Sequence, residues 1–147
     1  MQLTPDLEQN TIEEIFDKHL TLMLTNIEAW SGLLAEKIIV EFPYAAALGA
    51  PQRLEGKSAV FNHIKAALAR MPNLTFTNVR KYPTLNPNLL WAEFHGEAII
   101  ATTGLLYQQD YVAQMQIEDG KVIHYREYWN PAAVMNTWGD TRNFSAE

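Results

Sequence analysis

The sequence predicts a single α+β domain, a curved, mostly antiparallel sheet wrapped around N-terminal helices. Three observations carry this reading. Apolar residues recur at helical spacing through the first half of the chain, and from residue 74 the pattern changes to the alternation of strands. Residues 107–131, YQQDYVAQMQIEDGKVIHYREYWNP, read as a long hairpin closed at Asp119-Gly120. The 147 residues are 48% hydrophobic and show no repeat, low-complexity tract or domain boundary, so 1–147 is one domain with its core over about 10–138.

Residues 1–9 read as a loose lead-in. A first helix is expected from Asn10 or Thr11, with Glu13 and Glu14 in its first turn. Ile12, Ile15, Phe16, His19, Leu20 and Met23 form its buried stripe, and His19 is read as a hydrogen-bonded core histidine. Asn26 caps a second helix over 27–35, with Ile27, Trp30, Leu33 and Leu34 inward. KIIVEF (37–42) is a strand stopped by Pro43. The stretch 43–56, with Pro43, Gly49, Pro51 and Gly56, is a loop long enough to cover a pocket.

Lys57 or Ser58 opens a third helix that runs to about Arg70, with Val60, Phe61, Ile64 and Leu68 as its core stripe. His63 lies beside that stripe among Ala59, Ala66 and Ala67, small neighbours that leave room next to the imidazole. LTFTNVRKY, from 74, is a strand, and NPN at 86–88 is a turn. LLWAEFHGEAII then alternates, with Ala92, Phe94, Gly96, Ala98 and Ile100 inward and Trp91, Glu93, His95 and Glu97 outward. Glu93, His95 and Glu97 invite a metal site, but three ligands on one strand rarely converge on one ion. That face is read instead as solvated or as a subunit interface, and no metal is expected. Asn130-Pro131 caps a last helix to about Trp138, ended by Gly139, and 140–147 read as a mobile tail.

The hairpin admits two registers. A two-residue type I′ turn pairs Glu118 with Lys121 and leaves neither face clean. A three-residue loop with Gly120 as a G1 bulge shifts the register by one. Tyr111, Ala113, Met115 and Ile117 then share a face with Ile123, Tyr125, Glu127 and Trp129, while Asp110, Gln114, Gln116, Glu118, His124 and Arg126 take the other. The cleaner partition favours the bulge. It makes Glu127 the one ionisable group on an apolar, aromatic face, where burial raises a carboxyl pKa toward the range that acid–base chemistry uses. A structural ion pair to Arg or Lys is the other reading of Glu127.

Charge and composition exclude several function classes. Eleven Lys+Arg against 17 Asp+Glu give a formal net charge of −6 with no basic cluster, which excludes nucleic acid as a partner. The absence of cysteine excludes disulfides, thiol nucleophiles and thiolate metal sites, and fits a cytoplasmic location. MQLTPDLEQN does not have the pattern of a signal peptide, and no apolar run reaches membrane-spanning length.

Three segments, LEGKSAVFNHI (54–64), PNLLWAEFHGEAII (87–100) and EDGKVIHYREYWNP (118–131), resemble the SnoaL-like, ketosteroid-isomerase-like group of the nuclear-transport-factor-2-like superfamily. Within that group the pattern is most similar to the phenazine-biosynthesis A/B proteins. The resemblance spans roughly residues 10–138 and implies a cone-shaped α+β barrel, a homodimer through the outer sheet face, and a pocket histidine and glutamate that fall on His63 and Glu127. Where those proteins carry a serine one turn after the histidine, this chain has Ala67. The general-base aspartate of ketosteroid isomerase falls on Phe42, with Glu41 expected on the opposite face, and the oxyanion tyrosine falls near Lys18, so steroid isomerisation through those residues is rejected.

The function expected is a cofactor-independent general acid/base enzyme of isomerase, cyclase or condensation type, acting on a small hydrophobic or cyclic metabolite. Glu127 and His63 would be catalytic, and Phe42, Tyr44, Phe94, Tyr111, Tyr125 and Trp129 would line the ligand site. The alternative is a non-catalytic small-molecule-binding module, since one fold hosts unrelated functions.

Overall fold

The computed structural model describes residues 10–139; the expected lead-in and the tail from 140 lie outside the described residues. Helix α1 is Ile12–Thr25. The Thr11 side chain accepts from the Glu14 N–H at 3.2 Å, and the Glu14 carboxylate accepts from the Thr11 N–H at 2.8 Å, a reciprocal capping box that satisfies two otherwise orphaned donors. Asn26 caps helix α2, Ile27–Ser31, by accepting from the Ala29 N–H at 3.1 Å.

Helix α2 is shorter than the expected 27–35. Gly32 forms its C-cap, and strand β1, Leu34–Glu41, begins three residues before the expected start at 37. Leu34 is buried beside Val122, and the Val122 N–H donates to the Leu33 carbonyl at 2.9 Å, so a sheet contact outweighs local helix propensity here. The stretch read as a loop over 43–56 also holds more structure than expected. It contains a 3-10 turn, Ala45–Leu48, and a short edge strand β2, Arg53–Glu55, whose three residues are too few to show a period.

The remaining elements follow the expected order. They are helix α3 Lys57–Ala69, strands β3 Thr75–Pro83, β4 Leu89–Ile99, β5 Leu106–Glu118 and β6 Lys121–Tyr128, and helix α4 Pro131–Thr137. The six strands form one curved sheet in the order β2-β1-β6-β5-β4-β3, in which only the β1–β6 pair is parallel. Strand β4 alternates buried with half-buried residues and β5 buried with mostly exposed ones, so one sheet face carries Leu90, Ala92, Phe94, Tyr107, Tyr111, Ala113 and Met115 into the core. The helices supply Phe16, Leu20, Trp30 and Val60 against it. Among the described residues no helix is long and apolar enough to cross a membrane.

The hairpin corrects the expected register and explains why the expected faces still hold. Asp119 and Gly120 both have positive φ, 52° and 76°, which makes the two-residue type I′ turn, and Glu118 pairs with Lys121. The G1 bulge at the turn is therefore absent. The extra residue sits three positions after Gly120: Ile117 pairs with Val122 and Gln116 with His124, leaving Ile123 unopposed. Beyond it Met115 faces Tyr125 and Ala113 faces Glu127, as the bulged reading required. Only Ile123 changes place, because Val122 takes the buried position.

Candidate functional site

The inner sheet face, α1 and α3 enclose a cavity of about 130 Å³. An apolar cavity near 150 Å³ holds a benzene molecule, so this space suits one ring or an aliphatic group of that size. Its lining is mostly apolar and aromatic. Strand alternation delivers Phe94 from β4, Tyr107 and Tyr111 from β5, and Tyr125 and Glu127 from β6. The helical stripes deliver His19 from α1, Trp30 from α2, and Val60, His63 and Ala67 from α3.

Glu127 lies directly across from buried Ala113, with Tyr125 and Trp129 two residues to either side of it in sequence. It is the only carboxylate lining the cavity among the described residues. Burial pushes its carboxyl from 4.5 up to about 7, against a hydrogen bond from the Tyr125 hydroxyl that favours the ionised form. That hydroxyl donates to Glu127 Oε1 at 2.8 Å and fixes the orientation of the carboxyl. Burial holds the Tyr107 phenol at about 12 and those of Tyr111 and Tyr125 well above 10, so near neutral pH all three act as neutral hydroxyls. The Tyr107 and Tyr111 hydroxyls bond to each other at 3.0 Å.

His63 is buried, and its ring lies 5.7 Å from that of Phe42, which is 6.3 Å from Trp129. Phe94 stacks on Tyr111 at 4.9 Å, with Phe76 edge-on to both. Seven of the eight residues read from the sequence as site residues, Phe42, His63, Phe94, Tyr111, Tyr125, Glu127 and Trp129, line this one cavity. Tyr44 does not. It is 51% exposed and packs edge-on against Tyr128, 5.8 Å away, because the chain leaves β1 at Pro43 and the alternation that turns Phe42 inward ends there.

His19 is the lining residue the sequence reading passed over as core. Its Nδ1 accepts from the Trp30 indole N–H at 3.0 Å, its ring lies 4.7 Å from Tyr125, and burial lowers its pKa to about 3. The helical stripe that holds Phe16, His19 and Leu20 showed it to be inward; only the position of the sheet shows that inward means a cavity wall.

The outer face answers the other expectations. Glu41 points there and bonds to His124 at 2.8 Å and Arg126 at 3.0 Å, while Lys18 is exposed. Glu93, His95 and Glu97 do not converge: His95 bonds to Asp110 and Glu97, each at 2.8 Å, and Glu93 pairs with Arg80 at 2.9 Å. No group of three or more His, Cys, Asp or Glu side chains able to hold a metal occurs among the described residues.

The SnoaL-like domain profile matches residues 16–125. A crystal structure of a candidate isomerase from Bacillus subtilis is 35% identical, with a TM-score of 0.80 over 86% of this chain and 91% of that one. A phenazine-biosynthesis A/B-like protein of Pseudomonas aeruginosa is 32% identical over 123 residues, 82% of this chain and 86% of its own. The same fold, at 18% identity and a TM-score of 0.71 over 81% of this chain and 93% of the other, occurs in a Mycobacterium tuberculosis protein solved with estradiol-17β-hemisuccinate.

Proposed function

The chain belongs to the SnoaL-like domain family, and on that premise we propose that it is an acid–base enzyme of isomerase or cyclase type acting on a small, neutral, largely apolar organic compound. The observation that carries this is Glu127, a lone carboxyl in an apolar cavity whose pKa of about 7 lets it both take and return a proton near neutral pH. Glu127 abstracts a proton from a carbon made acidic by a neighbouring carbonyl and redelivers it at another position. His63, in the same cavity, is the second proton carrier. Phe42, Phe94, Tyr111, Tyr125 and Trp129 hold the ligand by shape and exclude water. Proton transfer of this kind draws on side chains alone, so the reaction calls for no metal or organic cofactor.

The test is hydrogen–deuterium exchange. Cyclohexanone and 2-cyclohexenone are incubated with the protein in D2O, and deuterium beside the carbonyl is followed by NMR. Wild-type protein accelerates exchange and Glu127→Gln, which keeps the shape, does not. If the variant exchanges as fast as wild type, Glu127 is not the base; if it binds ketones while neither form exchanges them, the site is a binding module.

The outer sheet face is the proposed homodimer surface. Trp91 and Tyr128 stack there at 6.5 Å, and Tyr82 and Val112 add exposed apolar area. Aromatic residues interleaved with arginine are favoured at interfaces. Light scattering at micromolar concentration gives twice the mass of the chain if this holds, and the chain mass if it does not.

A further inference from the structure

We propose that His19 holds a hydrogen-bond donor reserved for the ligand, so that the compound bound in the cavity carries a neutral oxygen acceptor, a ketone, enone or lactone carbonyl, at the end facing α1. The inference rests on the proposed use of this cavity as the ligand site. The indole N–H of Trp30 can only donate, so its 3.0 Å bond to His19 requires Nδ1 to be the unprotonated nitrogen of the ring. The proton of the neutral imidazole therefore sits on Nε2. That atom is buried and has no hydrogen-bond partner among the described residues, while the residue, 4% exposed, lines the cavity. A buried, unmet N–H is unfavourable, and a ligand oxygen placed against it removes the penalty. Burial keeps the ring neutral near pH 7, so it donates without presenting a charge to an apolar compound.

The geometry links this donor to Glu127. The His19 ring packs against Tyr125, and the Tyr125 hydroxyl bonds to Glu127. His19 and Glu127 line the same cavity, so one bound compound can meet both. When Glu127 takes a proton from such a carbon, the C–H electron pair forms the C=C bond of an enolate and the carbonyl π pair moves onto oxygen. His19 Nε2–H stabilises that oxygen without giving up its proton. Return of the proton from Glu127 to the same carbon completes an exchange; where a C=C lies beyond that carbon, as in a β,γ-unsaturated ketone, the enolate is a dienolate, and return of the proton to its far carbon shifts the C=C into conjugation while the oxygen pair re-forms the carbonyl.

The experiment compares two six-membered rings of matched shape, cyclohexanone and methylenecyclohexane, as ligands titrated against the protein by calorimetry. Wild type is expected to prefer the ketone by about tenfold. His19→Gln keeps an acceptor for Trp30 and a donor for the ligand, and retains the preference. The double variant His19→Phe/Trp30→Phe removes both members of the buried bond without stranding either, and brings the preference to about one. In ¹⁵N-labelled wild type, the His19 Nε2 resonance shifts with the ketone and not with the hydrocarbon. Equal binding of the two rings by wild type, or a preference unchanged in the double variant, overturns the proposal. These are equilibrium readouts that need no turnover, so loss of the acid–base role of Glu127 leaves them standing.

Discussion

The two faces of one sheet treat the same kinds of side chain in opposite ways. On the outer face burial raises the Glu41 carboxyl, but hydrogen bonds from His124 and Arg126 outweigh it and hold the group below its usual value. His95 is raised by its bonds to Asp110 and then Glu97. There each group gains a partner and its charged form is favoured. On the inner face burial is the largest cause and dominates, so Glu127 is pushed up to about 7 and His19 down to about 3, and in both the neutral form is favoured. His95 and the carboxylates 2.8 Å from it on the outside favour their charged forms; the same residue types among aromatic rings are held toward their neutral forms. The difference lies in what surrounds them, which is why a site should be sought on the face with few charges.

The largest effect that tests this contrast is on turnover. Glu127→Gln should lower the rate of ketone proton exchange by roughly 10²–10⁴-fold, the range for a general base, whereas Glu41→Gln on the outer face should leave it within about twofold. Exchange measured by NMR on both variants separates the faces; equal losses would erase the distinction.

Next in size is stability against pH. An unfolded chain releases the Glu127 proton near pH 4.5, while the folded chain keeps it to about 7, so stability falls as pH rises through that window and stays lower above it. The full difference is about 3 kcal/mol, as an upper figure. Glu127→Gln cannot ionise. It should therefore be more stable than wild type at pH 8.5 and indistinguishable at pH 4, as read by urea unfolding. The same gain at both pH values would mean that Glu127 is not held neutral by burial.

His19 runs the other way. The unfolded ring takes a proton near pH 6.5, the folded ring not until about 3, so stability is present above 6.5 and lost as pH falls below it. Between pH 6.5 and 5 this amounts to about 2 kcal/mol. In that range the rise opposes the fall due to Glu127, so His19→Gln should make stability fall more steeply with rising pH between 5 and 6.5, and His95→Gln, on the paired outer face, should not.

How much of this was legible in the sequence depends on where alternation could be trusted. It held without interruption along β4 and β5, so Phe94 and Tyr111 were readable as lining. It failed at Tyr44, because a strand period does not survive a proline that ends the strand. It placed Glu127 on the correct face by way of the wrong turn: a bulge at Gly120 and a bulge at Ile123 produce the same partition from residue 124 onward, and no side chain between them decides which occurs. His19 was readable as inward from its helical stripe. The difference between a packed core and a cavity wall is set by the distance between helix and curved sheet, which no residue spacing encodes.

The smallest predicted effect sharpens that point about the turn. Gly120 has φ of 76° and open space where a Cβ would go, so Gly120→Ala should cost about 1 kcal/mol through backbone strain alone. Because the bulge at Ile123 and not the turn sets the face of residues 124–129, the variant should keep Glu127 in the cavity. The pH profile of ketone exchange should therefore be unchanged, while the urea midpoint falls. A shifted profile would show that turn and bulge move together, and that the register of the whole hairpin, rather than one inserted residue, holds the carboxyl among the aromatic rings.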